Sequence, residues 1–131
     1  MTTYLGNAFS LSMLKGSSAM IGVGVVPAEY VGRQLRTTPG WVSAVGHEST
    51  AKVLTQLLGV EVPVNRIRIE LGEDDVLYVF QLLTRLPEGR VLSREEVLSL
   101  PYRFYEVRVL SRWWIYGKEE CVAALHGGFL G

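Results

Sequence analysis

The sequence predicts a single α/β (α+β) domain: a mixed β-sheet of about five strands flanked by helices. Three observations carry that expectation. Apolar, β-branched runs interleave with segments of helical periodicity. A turn at Gly72-Glu73-Asp74-Asp75 joins two strand-like segments as a hairpin, so one pair is antiparallel. The chain has 131 residues, 48% of them hydrophobic, which suits one domain with its own core.

The elements follow in order. Residues 3–8 read as the first strand, and Asn7-Ala8-Phe9-Ser10 leads into a helical turn over 11–14. Gly16-Ser17-Ser18 is a loop. Residues 19–26 form a β-branched second strand, in which Gly22 and Gly24 predict a bulge or a close backbone approach. Pro27 suits the first position of a helix over 28–35. After the break at Pro39-Gly40, residues 41–45 read as one more helical turn. The clearest helix follows His47. Its Ala51, Leu54 and Leu58 fall at +3 and +4 spacing, and Gly59 is the stop.

Ile67, Ile69 and Leu71 alternate with Arg66, Arg68 and Glu70, the pattern of a half-buried strand. Residues 76–83 are nearly all apolar and read as a central strand covered on both faces. Ser93 and Glu96 form a capping box for a helix ending before Pro101. Residues 103–110 make the last long strand. The body thus spans 1–110. Residues 111–131 are an extension with Trp113-Trp114 and a candidate short helix over 118–125, apolar enough to pack on the body or a partner.

Composition narrows the function. Thirteen basic and thirteen acidic side chains give zero net charge, which disfavours a grip on duplex nucleic acid through many phosphates. A small anionic ligand held by a few arginines stays open. Cys121 is the only cysteine, so an intrachain disulfide is excluded, and no Cys/His cluster suggests a metal or cofactor. No basic leader with an apolar core opens the chain, and no apolar run nears the ~20 residues of a membrane-spanning helix. The expectation is a soluble cytoplasmic protein without a membrane partner.

Several polar residues sit where chemistry is plausible. His47 precedes the strongest helix, whose N-terminus offers free N–H groups and positive potential to a phosphate. Ser49 and Thr50 add hydroxyl donors there. A histidine beside a phosphate can protonate a leaving oxygen; the plain alternative is that His47 caps its helix. Gln81 and Arg85 share one strand face, offering an adenine-reading amide and a phosphate-matching fork. The plain alternative is a buried, hydrogen-bonded glutamine beside a strand-end arginine. Glu88 follows in a turn and is a second candidate acid or base. Arg66 and Arg68 share a face with Glu70, which most often means a solvated row. Asn7, Ser10 and Ser12 leave the end of the first strand, where ligands often meet a sheet.

Together, Tyr4 to Ser10 with Met13-Leu14, Val45 to Thr50, Asn65-Arg66, and Leu77 to Gln81 with Arg85 to Gly89 resemble the viral ring nuclease family, the type III anti-CRISPR proteins. The match runs from about residue 4 to 110. The resemblance implies a homodimer with a mixed sheet and a two-fold pocket enclosing cyclic tetra-adenylate, the second messenger of type III CRISPR defence. It implies metal-independent cleavage to linear di-adenylates ending in a 2′,3′-cyclic phosphate. It makes His47 the general acid, Arg85 the stabiliser of the scissile phosphate and Glu88 an acid–base assistant. Asn7, Ser10, Arg66 and Gln81 would bind the ring, with Ser12, Ser49 and Thr50 as further contacts. The alternatives are a non-catalytic sponge for the ring, or a small DNA-binding regulator.

Overall fold

A computed structural model describes residues 1–84, 93, 95–96 and 99–110. Arg85, Glu88, the extension over 111–131 and most of the helix expected before Pro101 lie outside the described residues.

Five strands form one mixed sheet. They are β1 (Thr3–Gly6), β2 (Ile21–Val26), β3 (Val42–Ser43), β4 (Val76–Leu82) and β5 (Tyr102–Val109). Their order across the sheet is β2-β5-β4-β1-β3. β1 runs parallel to both β3 and β4, while β5 is antiparallel to β4 and β2. Among the described residues, two full helices, α1 (Ala28–Thr37) and α2 (Glu48–Leu58), flank the sheet of this single α+β domain, and a 3₁₀ turn spans Leu11–Met13.

Local chemistry explains most of these elements. β4 buries five consecutive residues, Val76 to Phe80, because it lies between β1 and β5 with apolar layers on both faces. On one face Val31 and Leu35 of α1 and Leu54 and Leu58 of α2 pack against Leu5, Tyr78 and Phe104. On the other, Ile69 and Leu71 join Leu77, Val79, Val107 and Val109. α2 ends because Gly59 takes a left-handed conformation (φ 68°), and its N–H donates to the Thr55 carbonyl. Pro27 occupies the N-cap of α1, one position earlier than expected. The capping box is present, with reciprocal bonds of 3.2 Å between Ser93 and Glu96.

One polar cluster ties α1 to the sheet. The Glu106 carboxylate accepts from the hydroxyls of Tyr30 and Tyr78, each at 3.0 Å, and from Arg108 at 2.8 Å. Burial works to raise the Glu106 carboxyl. The bonds from Arg108, Tyr78 and Tyr30 and the Arg108 charge outweigh it and hold the group below its usual range. Burial, then the Glu106 bond and charge, push the Tyr78 phenol upward.

Three expectations are corrected. Residues 41–45 are not a helical turn: Val42 and Ser43 pair with Tyr4 and Leu5 as β3. β-branched Val42 follows a left-handed turn at Gly40 (φ 76°) and extends along an open edge of β1. Residues 67–71 are not a strand of the sheet, and the turn at 72–75 closes no hairpin. Both edges of β4 are already taken by β1 and β5, so the segment lies against the face instead. Its Leu71 exchanges bonds with Met13 and Lys15. Ile69 and Leu71 are buried all the same, because an extended segment lying on an apolar surface has period two, while Ile67 lies beyond the packed layer and is exposed. Finally, Gly22 and Gly24 mark neither a bulge nor a close approach. They pair regularly with Arg108 and Glu106, and nothing lies within 4 Å of where their Cβ atoms would be.

Candidate functional site

β3, β1 and β4 are parallel, so their chains leave the sheet on the same rim. That rim is where ligands of open sheets characteristically bind. β1 passes into residues 7–12, β3 into Gly46 and His47, and β4 ends at Gln81 and Leu82.

The segment after β1 builds a concavity of about 180 Å³, lined among others by Asn7, Ser10, Ser12, Ala44 and Arg68. Ser10 sits at the N-cap of the 3₁₀ turn but makes no capping bond with its side chain. Its hydroxyl lies 2.8 Å from that of Ser12. Two hydroxyls, an amide and a guanidinium thus share one small hollow. Arg68 is exposed and makes no hydrogen bond or ion pair with the described residues.

A second hollow, of about 240 Å³, lies on the sheet face opposite the helices. Phe9, Val23, Val79, Gln81, Tyr105 and Val107 line it. Gln81 is exposed there, and its amide donates only to its neighbour's carbonyl, Leu82, at 3.0 Å. The plain alternative of a buried, hydrogen-bonded glutamine therefore fails on burial: the strand's end passes beyond the packed layer. Arg103 pairs opposite Gln81 on β5 and is also exposed.

His47 occupies the N-cap of α2 with extended backbone (φ −123°, ψ 134°), yet its side chain makes no capping bond. The plain reading of His47 as a capping side chain fails on that point. The imidazole is exposed, and Ser49 and Thr50 are half-buried in the first turn behind it. Arg66 is anchored beside them: its Nε donates to the Gly46 carbonyl at 2.8 Å. A Cβ on Gly46 would stand 3.3 Å from the Arg66 stem, so glycine lets the arginine lie across the backbone just before His47. Asn65 completes the stitching, donating to the Ser43 carbonyl at 2.8 Å.

The predicted residues are thus gathered in parts. Asn7, Ser10 and Ser12 share one hollow, Gln81 lines the next, and Arg66 is tied to the His47 turn. His47, Ser49 and Thr50 line neither hollow. Arg85 and Glu88 lie outside the described residues. Sequence reasoning passed over Arg68 and Arg103. Arg68 was legible only as one of an alternating charged row, and Arg103 only as the polar start of a strand. Among the described residues, no group of three or more His, Cys, Asp or Glu side chains is placed to hold a metal ion. No described helix is long and apolar enough to cross a membrane.

Fold and rim define a small single-domain α+β protein whose polar residues collect at the carboxyl ends of three parallel strands. The chain belongs to the STIV B116-like family, whose model matches residues 3–104. The solved structure of B116 of Sulfolobus turreted icosahedral virus superposes with a TM-score of 0.67 at 31% identity, covering 82% of this chain and 99% of B116. Uncharacterized protein 26 of Sulfolobus islandicus filamentous virus is 36% identical over 109 residues, covering 82% of this chain and 92% of its own length. Protein ORF116 of Acidianus filamentous virus 1 is 31% identical over 100 residues, covering 76% and 85%.

Proposed function

We propose that two copies of this chain enclose cyclic tetra-adenylate and cleave it without a metal ion, silencing type III CRISPR signalling in the host cytoplasm. The observation that carries this reading is the rim itself. Asn7, Ser10, Ser12, Gln81 and an Arg66-anchored turn bearing an uncommitted His47 all leave parallel strands in one direction. The resemblance to ring nucleases rests on these same residues. The viral relatives are consistent with a role against host defence.

Size argues for a second copy. Hollows of 180 and 240 Å³ are each smaller than the ~300–1,000 Å³ that drug-sized ligands occupy. A four-nucleotide ring needs both hollows and a facing protomer. The face beside them is apolar and open, with Val23, Val25 and Leu83 exposed. A two-fold ring in a two-fold dimer meets two equivalent sites.

The chemistry requires no protein nucleophile. A ribose 2′-oxygen attacks the adjacent phosphorus, the bond to the departing 5′-oxygen breaks, and that oxygen takes a proton. His47 supplies the proton. Arg85 stabilises the phosphorane charge, and Glu88 assists proton movement. The remaining residues hold the ring in line. Zero net charge suits the task, since a few arginines in a closed pocket act at low effective dielectric.

The test is single-turnover cleavage of labelled cyclic tetra-adenylate in EDTA, with His47→Ala alongside. The expected result is linear di-adenylate from the wild type, slowed ~10²–10⁴-fold in the variant. An intact ring bound to the protein would replace the enzyme with a sponge. An intact, unbound ring together with salt-dependent duplex binding would turn the reading to a DNA regulator.

A further inference from the structure

The hollow after β1 is lined with donors and one positive charge. Its polar lining is Asn7, Ser10, Ser12 and Arg68, and its other walls are alanine, methionine and isoleucine. No carboxylate lines it. Cations in other hollows are matched by acids. Lys52 lines one with Glu48 and Glu61 and pairs with Glu48 at 3.2 Å. Lys15 lines another together with Glu73. Arg68 instead brings its charge into a hollow that supplies no counter-charge.

The donors there are unspent. Among the described residues, the side chains of Arg68 and Asn7 make no hydrogen bond or ion pair. Ser10 and Ser12 share one bond of 2.8 Å, so one of the two hydroxyl hydrogens stays free. A tight turn delivers the arginine. The Ile67 N–H donates to the Asn65 carbonyl at 3.2 Å, closing a three-residue turn about Arg66. Arg66 goes to the Gly46 carbonyl beside His47, while Arg68 lines the hollow.

Size narrows the occupant. A volume of about 180 Å³ holds about six waters at ~30 Å³ each. That admits a phosphate group with its oxygens and falls short of the ~300 Å³ at which pockets take a whole ligand. A guanidinium fork matches two phosphate oxygens, and the hydroxyl and amide donors suit the others. His47 does not line the hollow, so a phosphate seated here is not the one His47 would serve.

We propose that this hollow is a phosphate subsite, in which Arg68 holds a phosphate of the ring that is not cut. The proposal rests on the ring nuclease reading. Cyclic tetra-adenylate has four phosphates. A two-fold dimer brings two His47 side chains to two of them and two hollows to the other two. Arg68 is thus a binding residue remote from the reacting atoms, and its effect falls on affinity and not on the chemical step.

The test is single-turnover cleavage of labelled cyclic tetra-adenylate in EDTA over a range of protein concentrations. Arg68→Ala is compared with the wild type and with Arg33→Ala, which removes an equal charge from an exposed position of α1 on the other face of the sheet. Arg68→Ala is expected to raise the half-saturating concentration about ten- to a hundredfold, through the loss of charge-assisted hydrogen bonds, with the plateau rate within about twofold of wild type. Arg68→Lys keeps the charge without the fork and falls between. Arg33→Ala matches the wild type. An unchanged half-saturating concentration in Arg68→Ala would overturn the proposal, and so would a plateau rate lowered about tenfold or more, which would put Arg68 in the chemical step.

A second readout separates the subsite from the reading beneath it. Inorganic phosphate is titrated against the NMR signals of the Arg68 Nε–H and the Ser10 and Ser12 amides, with chloride at matched ionic strength as the control. Saturable shifts with phosphate alone are expected, and those of the two serines should vanish in Arg68→Ala. If the ring is then neither bound nor cut, the ring nuclease reading falls and the hollow stands as a phosphate site. A hollow that ignores phosphate, in a protein whose Arg68→Ala variant handles the ring as the wild type does, would leave Arg68 a solvated side chain.

Discussion

Gly32 sits where α1 crosses the end of α2, and Gly32→Ala tests how the helical layer is fitted. A Cβ there would stand 2.4 Å from the Leu58 carbonyl oxygen, well inside the 3.0 Å below which such contacts are essentially not seen. The carbonyl cannot swing away cheaply, because Arg36 Nη1 donates to the same oxygen at 3.1 Å. Overpacking of this kind costs ~1–3 kcal/mol, against a gain of ~1 kcal/mol from alanine's better helix propensity. The clash is with backbone rather than a flexible side chain, which puts the cost in the upper part of that range, about 2–3 kcal/mol, so the net expectation is a loss of about 1–2 kcal/mol. Gly24→Ala is the matched control. Nothing lies within 4 Å of its Cβ, and alanine is better than glycine in a strand by ~0.5–1 kcal/mol. Urea unfolding at one fixed protein concentration should lower the midpoint for Gly32→Ala and raise it for Gly24→Ala. A Gly32→Ala protein as stable as the wild type would refute the close-crossing argument.

Other substitutions test the rim and the polar cluster. Ser43 is buried, donates to the Pro63 carbonyl at 2.7 Å and accepts from the Val45 N–H at 3.3 Å. Ser43→Ala strands the buried Val45 N–H and leaves the Pro63 carbonyl without its donor, and urea unfolding should register a loss of roughly 1–3 kcal/mol. Gly46→Ala crowds the Arg66 stem without touching the core; it should weaken cyclic tetra-adenylate binding severalfold, less than Arg66→Ala, while thermal stability stays near wild type. The Glu106 carboxyl lies below its ordinary value in the fold, so its contribution is present at neutral pH and lost as pH falls below ~4.3. The melting-temperature gap between wild type and Glu106→Gln should therefore narrow from pH 7 to pH 3, and a gap independent of pH would remove the ionised carboxylate from the account.

Period and punctuation made much of this fold legible. The run over β4 announced a central strand because five consecutive apolar residues fit only a position covered on both faces. Gly59 and the Ser93–Glu96 box were readable because caps are local chemistry. What was not legible was pairing. Residues 67–71 and residues 42–43 each gave or withheld a strand signal against the outcome, since alternation reports burial of one face and says nothing of which edge is free. The expected total of five strands was met by exchanging one segment for another. The site behaved alike: Asn7, Ser10 and Ser12 converge because one short turn holds them, whereas Arg68 reaches the same hollow only through the tertiary path of a segment outside the sheet, tied down by the bridge between Leu71 and Leu14.

The two halves of the sheet divide the labour. Every gathered polar residue leaves a parallel strand or the segments stitched to it, and those turns are short enough to fix their direction. The antiparallel half carries the Glu106 cluster, which binds α1 to β5 on the helical face. It follows that damage to Glu106 should lower stability while leaving ligand affinity per folded molecule intact, and damage to the Arg66–Gly46 contact should do the reverse. Measuring both quantities on both variants separates scaffold from site. Equal losses in both would mean that the rim and the cluster form one mechanical unit, and that the division argued from strand direction is wrong.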